Sequence, residues 1–301
     1  MRLVSYDRDG RTSWGVLSGS GPLGGDRILD LTAARPGLPA DLVDILADRR
    51  LFDRVRTLVA GVGVPTLAVG DVRLLAPIPR PRKLVCVGYN YRGHEAIEDP
   101  AYPDVFAKTP NTVIGPGETI LLPPEVCRPD YEAEIGVVVG AGGRRIPPER
   151  AWDHVAGLTI VNDFSARDWQ GHGSQWLLGK SFDTFAPMGP ALVTLDEIGD
   201  VGDLVVQAAV NGVVTLRQST AAMVFPIPRL ISYISEVMTL DPGDVIATGT
   251  PQKLPDALAE GRWVRPGDEI SISITGLGTL TNPAGADPDP STPPPTRKAP
   301  L

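Results

Sequence analysis

The chain has 301 residues, 42% of them hydrophobic and 21% charged, and its formal net charge is −8. These values are ordinary for a globular protein with its own core, whereas nucleic-acid binding requires a basic surface. No apolar run approaches the roughly 18 residues of a membrane span, and the N-terminus lacks the layout of a signal peptide. We therefore expect a cytoplasmic protein with neither nucleic acid nor a membrane as partner.

The first 75 residues are predicted to form a small α+β unit. Short strands are expected at Arg2–Tyr6, Ser13–Ser18 and Arg27–Asp30. Apolar residues then recur at close to the 3.6-residue period from 41 to 60, which predicts one amphipathic helix. The Pro-rich segment 76–83 can continue neither a helix nor a central strand, so we interpret it as a stiff connector.

Residues 84–283 show short β-branched runs separated by Gly and Pro turns, the pattern of a mostly β domain. Asn211-Gly212 between two apolar runs predicts a hairpin, and one helix is expected near 226–239. The fold class is therefore predicted as α+β, mostly β. Residues 284–301 are dense in Pro and almost free of apolar side chains, so we predict a disordered tail.

The two cysteines have no second Cys or His at metal-site spacing, so they indicate neither a disulfide framework nor a zinc site. Cys86 lies in an apolar run and is predicted to be buried in a strand. Cys127 is expected to be a loop thiol. Neither receives a role.

Carboxylates are concentrated where two apolar strands begin and end. Glu132 and Glu134 are two residues apart at the start of one run, and Asp163 ends the next one. Because strand side chains alternate between faces, the two glutamates should point the same way. Taken alone, such a pair is more often an exposed strand face, but here it enters a segment that is becoming buried. Three oxygen ligands favour Mg²⁺ or Mn²⁺ before Ca²⁺ and disfavour zinc.

Several motifs in this chain resemble those of the fumarylacetoacetate hydrolase family, in the family's order. They are CVGYNYRGHEA (86–96), NTVIGPGETILLP (111–123), DYEAEIGVVVG (130–140), VAGLTIVNDFSARDWQ (155–170), GKSFDTFAPMGP (179–190), TAAMVFPIPRLISYISEVMTLDPGDVIATGTP (220–251) and GDEISISITGLGTLTNP (267–283). The layout is most similar to the branch of acylpyruvases, oxaloacetate decarboxylases and 2-hydroxyhepta-2,4-diene-1,7-dioate isomerases. The resemblance implies a mixed β-sandwich or roll catalytic domain, a homodimer, and Glu132, Glu134 and Asp163 as metal ligands.

The same resemblance suggests further site residues. Lys180 would face the metal-bound oxygens, where an ammonium stabilises a developing enolate. Four side chains are candidates for substrate binding: Arg167, Gln170, Thr184 and Thr250. For Arg167, a structural ion pair with its neighbour Asp168 is an equally good interpretation.

His94 corresponds to the lid histidine that activates water in hydrolytic members of the family. Those members place a glutamate three residues after the histidine, whereas this chain has Glu95 next to it and Glu98 four residues on. Since positions i and i+4 are neighbours on a helix, Glu98 could replace the usual partner. Glu95 would point elsewhere. The His94–Glu98 pair is thus the predicted catalytic dyad.

These features together predict a divalent-metal hydrolase that cleaves a C–C bond of an acylpyruvate or related 2-oxo acid through a metal-stabilised enolate. Two alternatives remain open. The displaced glutamate favours a decarboxylase or isomerase on the same site, because neither reaction needs a hydrolytic water. A non-catalytic binding protein with this fold is the other alternative.

Overall fold

Strands account for most of the ordered elements of this molecule. The computed structural model describes residues 1–21, 25–61, 63–93, 98–258 and 263–288. Its strands are β1 (Arg2–Arg8), β2 (Arg11–Ser18), β3 (Arg27–Leu29), β4 (Thr66–Ala68), β5 (Arg73–Leu74), β6 (Leu84–Gly88), β7 (Asp104–Lys108), β8 (Val113–Ile114), β9 (Ile120–Leu122), β10 (Pro129–Asp130), β11 (Ala133–Val139), β12 (Val155–Asn162), β13 (Ser165–Ala166), β14 (Ala186–Val193), β15 (Val205–Val210), β16 (Val213–Ser219), β17 (Val245–Ala247), β18 (Glu269–Ile274) and β19 (Gly278–Ala286).

Helices are short and few by comparison. The α-helices are α1 (Leu31–Ala34), α2 (Leu42–Ala47), α3 (Arg49–Val59), α4 (Arg167–Gln170), α5 (Leu177–Lys180), α6 (Ile227–Val237) and α7 (Pro255–Leu258). Turns of 3₁₀ helix lie at Val69–Asp71, Pro110–Thr112, Pro148–His154, Leu195–Glu197, Val201–Asp203 and Thr220–Ala222. None of the helices in the described ranges is long and apolar enough to cross a membrane.

Two mixed sheets pack face to face around the main core. The larger has the strand order β4-β3-β2-β1-β14-β12-β11-β17-β6-β7, with β5 attached to β1 and β8 to β14, and the smaller has the order β16-β15-β18-β19-β9. Between them lie apolar side chains of both sheets, such as Ile135 and Ile160 from the larger and Val206 and Ile272 from the smaller. The predicted α+β, mostly β class with a sandwich-like domain is confirmed.

The N-terminal strands extend the larger sheet rather than forming a sheet of their own. β1 pairs antiparallel with β14, placing Leu3 opposite Leu192. A second core cluster lies where α2 and α3 cover this region, and it includes Trp14 and Ile45 as well as Val245 from β17. The boundary predicted at residue 75 is therefore not a break in the sheet.

The single helix predicted from 41 to 60 is wrong in one respect, because the structure divides it at Asp48. That residue has extended backbone angles (φ −112°, ψ 104°) and caps α3, its carboxylate accepting from the amides of Arg50 and Leu51. Asp is a strong N-cap residue, so its side chain competes with continuation of the helix. The apolar period crosses the break, which explains the incorrect prediction.

The predicted start of the tail also needs correction. β19 continues to Ala286 and pairs in parallel with β9, so that Ala284 lies opposite Ile120. Residues 284–286 are Ala, Gly and Ala, whose low strand propensity explains why this pairing was not predicted. Residues 289–301 lie outside the described part of the chain.

Other local predictions are confirmed. Asn211 and Gly212 both have positive φ (50° and 78°) in the tight turn between β15 and β16. The helix predicted near 226–239 is α6. Cys86 is buried and Cys127 exposed, and both are free thiols.

Candidate metal centre

The register of β11 with β12 brings three acidic residues together. Glu132 directly precedes β11, Glu134 lies within it, and Asp163 directly follows β12. Ala133 is opposite Asn162, and the Asp163 amide donates to the Glu132 carbonyl at 3.1 Å. The Asn162 side-chain oxygen accepts from the Glu132 amide, also at 3.1 Å. The backbone thus fixes all three carboxylates at one end of a central strand pair.

The three carboxylates form a compact buried group. Glu132 is 9% exposed, Glu134 1% and Asp163 0%, and one oxygen from each lies within 4.8 Å of the others. Burial raises the pKa of Glu134 well above its usual value, and the charges of Asp163 and Glu132 raise it further. Asp163 Oδ1 accepts no aligned hydrogen bond from the described residues. Three crowded oxygens with spare lone pairs fit a hard divalent cation such as Mg²⁺ or Mn²⁺.

Lys180 bridges two of these carboxylates. Its ammonium donates to Asp163 Oδ2 at 2.8 Å and to Glu132 Oε2, and it lies 4.9 Å from the centre of the Phe106 ring. Burial alone would lower the pKa of Lys180, but attraction to Asp163 and Glu132 raises it above its usual value. Lys180 is therefore a charged donor beside Glu132 and Asp163.

Arg167 binds the carboxylate oxygen of Glu132 that Lys180 does not contact. Its Nη2 donates to Glu132 Oε1 at 2.6 Å, its Nε to Asp130 at 2.9 Å and its Nη1 to Gln170 Oε1 at 3.0 Å. Despite burial, the charges of Arg167 and Lys180 hold the pKa of Glu132 well below its usual range. The suggested ion pair of Arg167 with Asp168 is not formed: Arg167 pairs with Asp130 and Glu132, and Asp168 accepts from the Cys127 amide at 2.8 Å.

Two more lysines complete an ion-pair network around the three carboxylates. Lys108 lies 2.8 Å from Asp163 Oδ1, and Lys253 pairs with Asp130. Four carboxylates thus meet four cations, so the formal charge of this network is zero. Its members are Lys108, Asp130, Glu132, Glu134, Asp163, Arg167, Lys180 and Lys253.

The other predicted site residues do not all contact the segment that carries the three carboxylates. Thr250 lies at the cluster, where its hydroxyl accepts from the Ala133 amide at 3.0 Å. Thr184 instead accepts from the Leu121 amide at 2.8 Å. Glu98 is exposed, while His94 lies outside the described residues. The His94–Glu98 dyad stays a prediction.

Sequence reasoning did not find Lys108, Asp130 or Lys253. For Asp130 a signal existed, since it precedes Glu132 by two residues and continues the same alternation. Lys108 and Lys253 carried none. Each reaches the network from a segment distant in sequence, and a lone lysine on a strand or loop is normally exposed.

A family model described as fumarylacetoacetate hydrolase, C-terminal, matches residues 83–284. The mitochondrial oxaloacetate tautomerase FAHD2A of Bos taurus is 41% identical over 289 residues, covering 94% of this chain and 91% of that protein. Oxaloacetate tautomerase YisK of Bacillus subtilis is 41% identical over 284 residues, covering 86% and 93%. The chain therefore belongs to the fumarylacetoacetate hydrolase family of enzymes.

A solved structure of maleylpyruvate hydrolase from Sphingobium sp. SYK-6, in complex with manganese(II) and pyruvate, is similar throughout. It is 28% identical to this chain, with a TM-score of 0.78 and coverage of 95% of this chain and 99% of that one. That enzyme therefore has a similar fold, and it binds a divalent metal together with a small 2-oxo acid.

Replacing Glu134 by Gln should change how the stability of metal-stripped protein depends on pH. The folded-state pKa of Glu134 is raised above its unfolded value of 4.5, so wild-type stability should fall as pH rises through that interval. Glu134→Gln removes this contribution, and the stability difference should change by up to about 1.4 kcal/mol per pH unit. Urea unfolding of EDTA-treated proteins at pH 5 and pH 8 measures it. Parallel pH profiles for the two proteins would contradict the assignment.

Proposed function

We propose that this enzyme interconverts the enol and keto forms of a small 2-oxo dicarboxylate of the oxaloacetate type, with Mg²⁺ or Mn²⁺ as cofactor. The observation that carries the proposal is the cluster of three buried carboxylates within a network of four carboxylates and four cations. Relatives that share about two fifths of this sequence over nearly their whole length bear the name oxaloacetate tautomerase. This revises the sequence-based preference for C–C bond hydrolysis in favour of the isomerase alternative.

The charges of the network select the kind of substrate. Because four carboxylates meet four cations, adding one divalent cation leaves a formal charge of +2 in a buried region. Uncompensated buried charge is costly, so a ligand carrying two negative charges is favoured. Oxaloacetate and similar 2-oxo dicarboxylates are dianions at neutral pH. A monoanionic acylpyruvate would compensate only half of the charge.

The cation, when bound, would polarise the 2-oxo group and hold the adjacent carboxylate. Lys180 supplies the remaining stabilisation, because its fixed ammonium can donate to an oxygen that gains negative charge as the substrate loses a proton. Keto–enol exchange moves one proton between carbon and oxygen and consumes no water. The exchange therefore needs no activation of water, which is the role predicted for the His94–Glu98 pair in hydrolysis, and requires only a group that carries the proton between carbon and oxygen.

Arg167 is better suited to orienting Glu132 than to clamping a substrate carboxylate. All three of its guanidinium nitrogens already donate to protein acceptors, and the group is only 28% exposed. Gln170 acts with it, since its side-chain oxygen accepts from Arg167. Thr250 accepts a hydrogen bond from the amide of Ala133, the residue between Glu132 and Glu134. It is therefore the better-placed candidate for substrate contact. The homodimer remains a prediction from the family.

The reaction is tested by supplying purified enol and keto oxaloacetate, an acylpyruvate and Mn²⁺, with the products identified by NMR. We expect rapid enol–keto exchange, with slower formation of pyruvate from either substrate. Asp163→Asn should lower the exchange rate by about a hundredfold or more, because a ligand that supports several kcal/mol of stabilisation is lost. Asp196→Asn, which breaks an exposed ion pair with Arg56 outside the network, is the matched control. Acylpyruvate cleavage faster than exchange would restore the hydrolase interpretation.

Lys180→Met should separate charge stabilisation from metal binding. We expect kcat for enol–keto exchange to fall about 100- to 1000-fold, as when a preorganised donor is removed, with little change in KM. Mn²⁺ affinity, measured by calorimetry, should fall much less than kcat, because Glu134 is untouched and Lys108 and Arg167 still hold Asp163 and Glu132. A parallel loss of Mn²⁺ affinity and kcat would mean that Lys180 acts only through the ligands.

A further inference from the structure

Lys108 is buried at a position where a lysine is normally exposed. It ends β7, the edge strand of the larger sheet, and its neighbour Ala107 is exposed. Charged residues on edge strands usually face solvent. The Lys108 side chain is instead 0% exposed and points inward beside Asp163, whose side chain is also 0% exposed. Full burial of an ammonium costs folding free energy, which suggests that the contacts of Lys108 serve a function.

Both contacts of Lys108 fall on the turn that carries Asp163. Its Nζ donates to the Phe164 carbonyl at 2.8 Å and lies 2.8 Å from Asp163 Oδ1. The backbone of the turn is held by the Phe164 amide, which donates to the carbonyls of Asn162 and Phe185. The hydrogen bond to Phe164 fixes the ammonium, and the ion pair then fixes one oxygen of Asp163.

The two oxygens of Asp163 consequently face different cations. Oδ1 lies beside Lys108, whereas Oδ2 accepts from Lys180, which also donates to Glu132. Asp163 is thus turned so that Oδ2 lies on the side of Glu132. Without Lys108, Lys180 would still hold Asp163 Oδ2, but Oδ1 would lose its counter-charge and the carboxylate would be held at one oxygen only.

We propose that Lys108 is a positioning residue of the metal centre, which holds Asp163 in the orientation needed to bind a divalent cation together with Glu132 and Glu134. The inference rests on the proposed metal ligand set but not on the identity of the substrate. Lys108 touches neither substrate nor cation in this role. It acts through Asp163, as residues that orient metal ligands commonly do.

Mn²⁺ titration of metal-stripped protein, followed by calorimetry and by EPR, tests this role. Lys108→Met should remain folded, judged by circular dichroism, and should bind Mn²⁺ about 10- to 100-fold more weakly than wild type, with an altered EPR line shape. Lys83→Met is the matched control, since Lys83 also pairs with a buried aspartate, Asp244, but its ion pairs include no member of the network. Its Mn²⁺ affinity should equal that of wild type.

Unchanged or tighter Mn²⁺ binding by folded Lys108→Met would overturn the proposal, because removal of a merely repelling charge strengthens cation binding. If Lys108→Met does not fold, Lys108→Gln decides by the same criterion, since its amide can still donate to Phe164. Wild-type protein that fails to bind Mn²⁺ would overturn the proposed metal centre and this inference together. Normal wild-type binding with an unaffected Lys108 variant would overturn this inference alone.

Discussion

Mutual repulsion among Glu132, Glu134 and Asp163 is the constraint on which the rest of this site depends. One oxygen from each lies within 4.8 Å of the others, and the three side chains are nearly excluded from water. Carboxylates so placed do not stay ionised together without opposite charge. Around them the chain assembles lysines and an arginine, and a divalent cation would supply further opposite charge. Burial, charge and function are therefore aspects of one electrostatic problem.

The sheet solves the geometric part of that problem. Pairing of β11 with β12 sets two glutamates and an aspartate at a shared strand end, while β7 and α5 deliver lysines to the same place. The N-terminal strands lengthen the sheet through β1 and β14 and carry no member of the network. A rigid, strand-built frame suits a site in which small displacements of ligands matter.

The parts of the site that were predicted from sequence are those encoded locally. Glu132, Glu134 and Asp163 follow from strand alternation and from the ends of apolar runs, and family motifs supplied Lys180. Lys108 and Lys253 could not be predicted, because their roles arise from contacts across 55 or more residues, as the pairing of Lys108 with Asp163 shows. For the fold, apolar periodicity located the elements, but it could not show that Asp48 caps a second helix. Nor could composition reveal the pairing of Ala284 with β9.

The proposed function is that the network of four carboxylates and four cations binds a divalent cation and then a dianionic 2-oxo acid, the class of acid for which the oxaloacetate tautomerases among its relatives are named. Its central claim is that one cation binds between the three carboxylates. The most direct test is the anomalous scattering map of a crystal soaked with Mn²⁺. The account predicts one strong peak within coordination distance of Glu132, Glu134 and Asp163. A peak elsewhere, or none at this position, would contradict it.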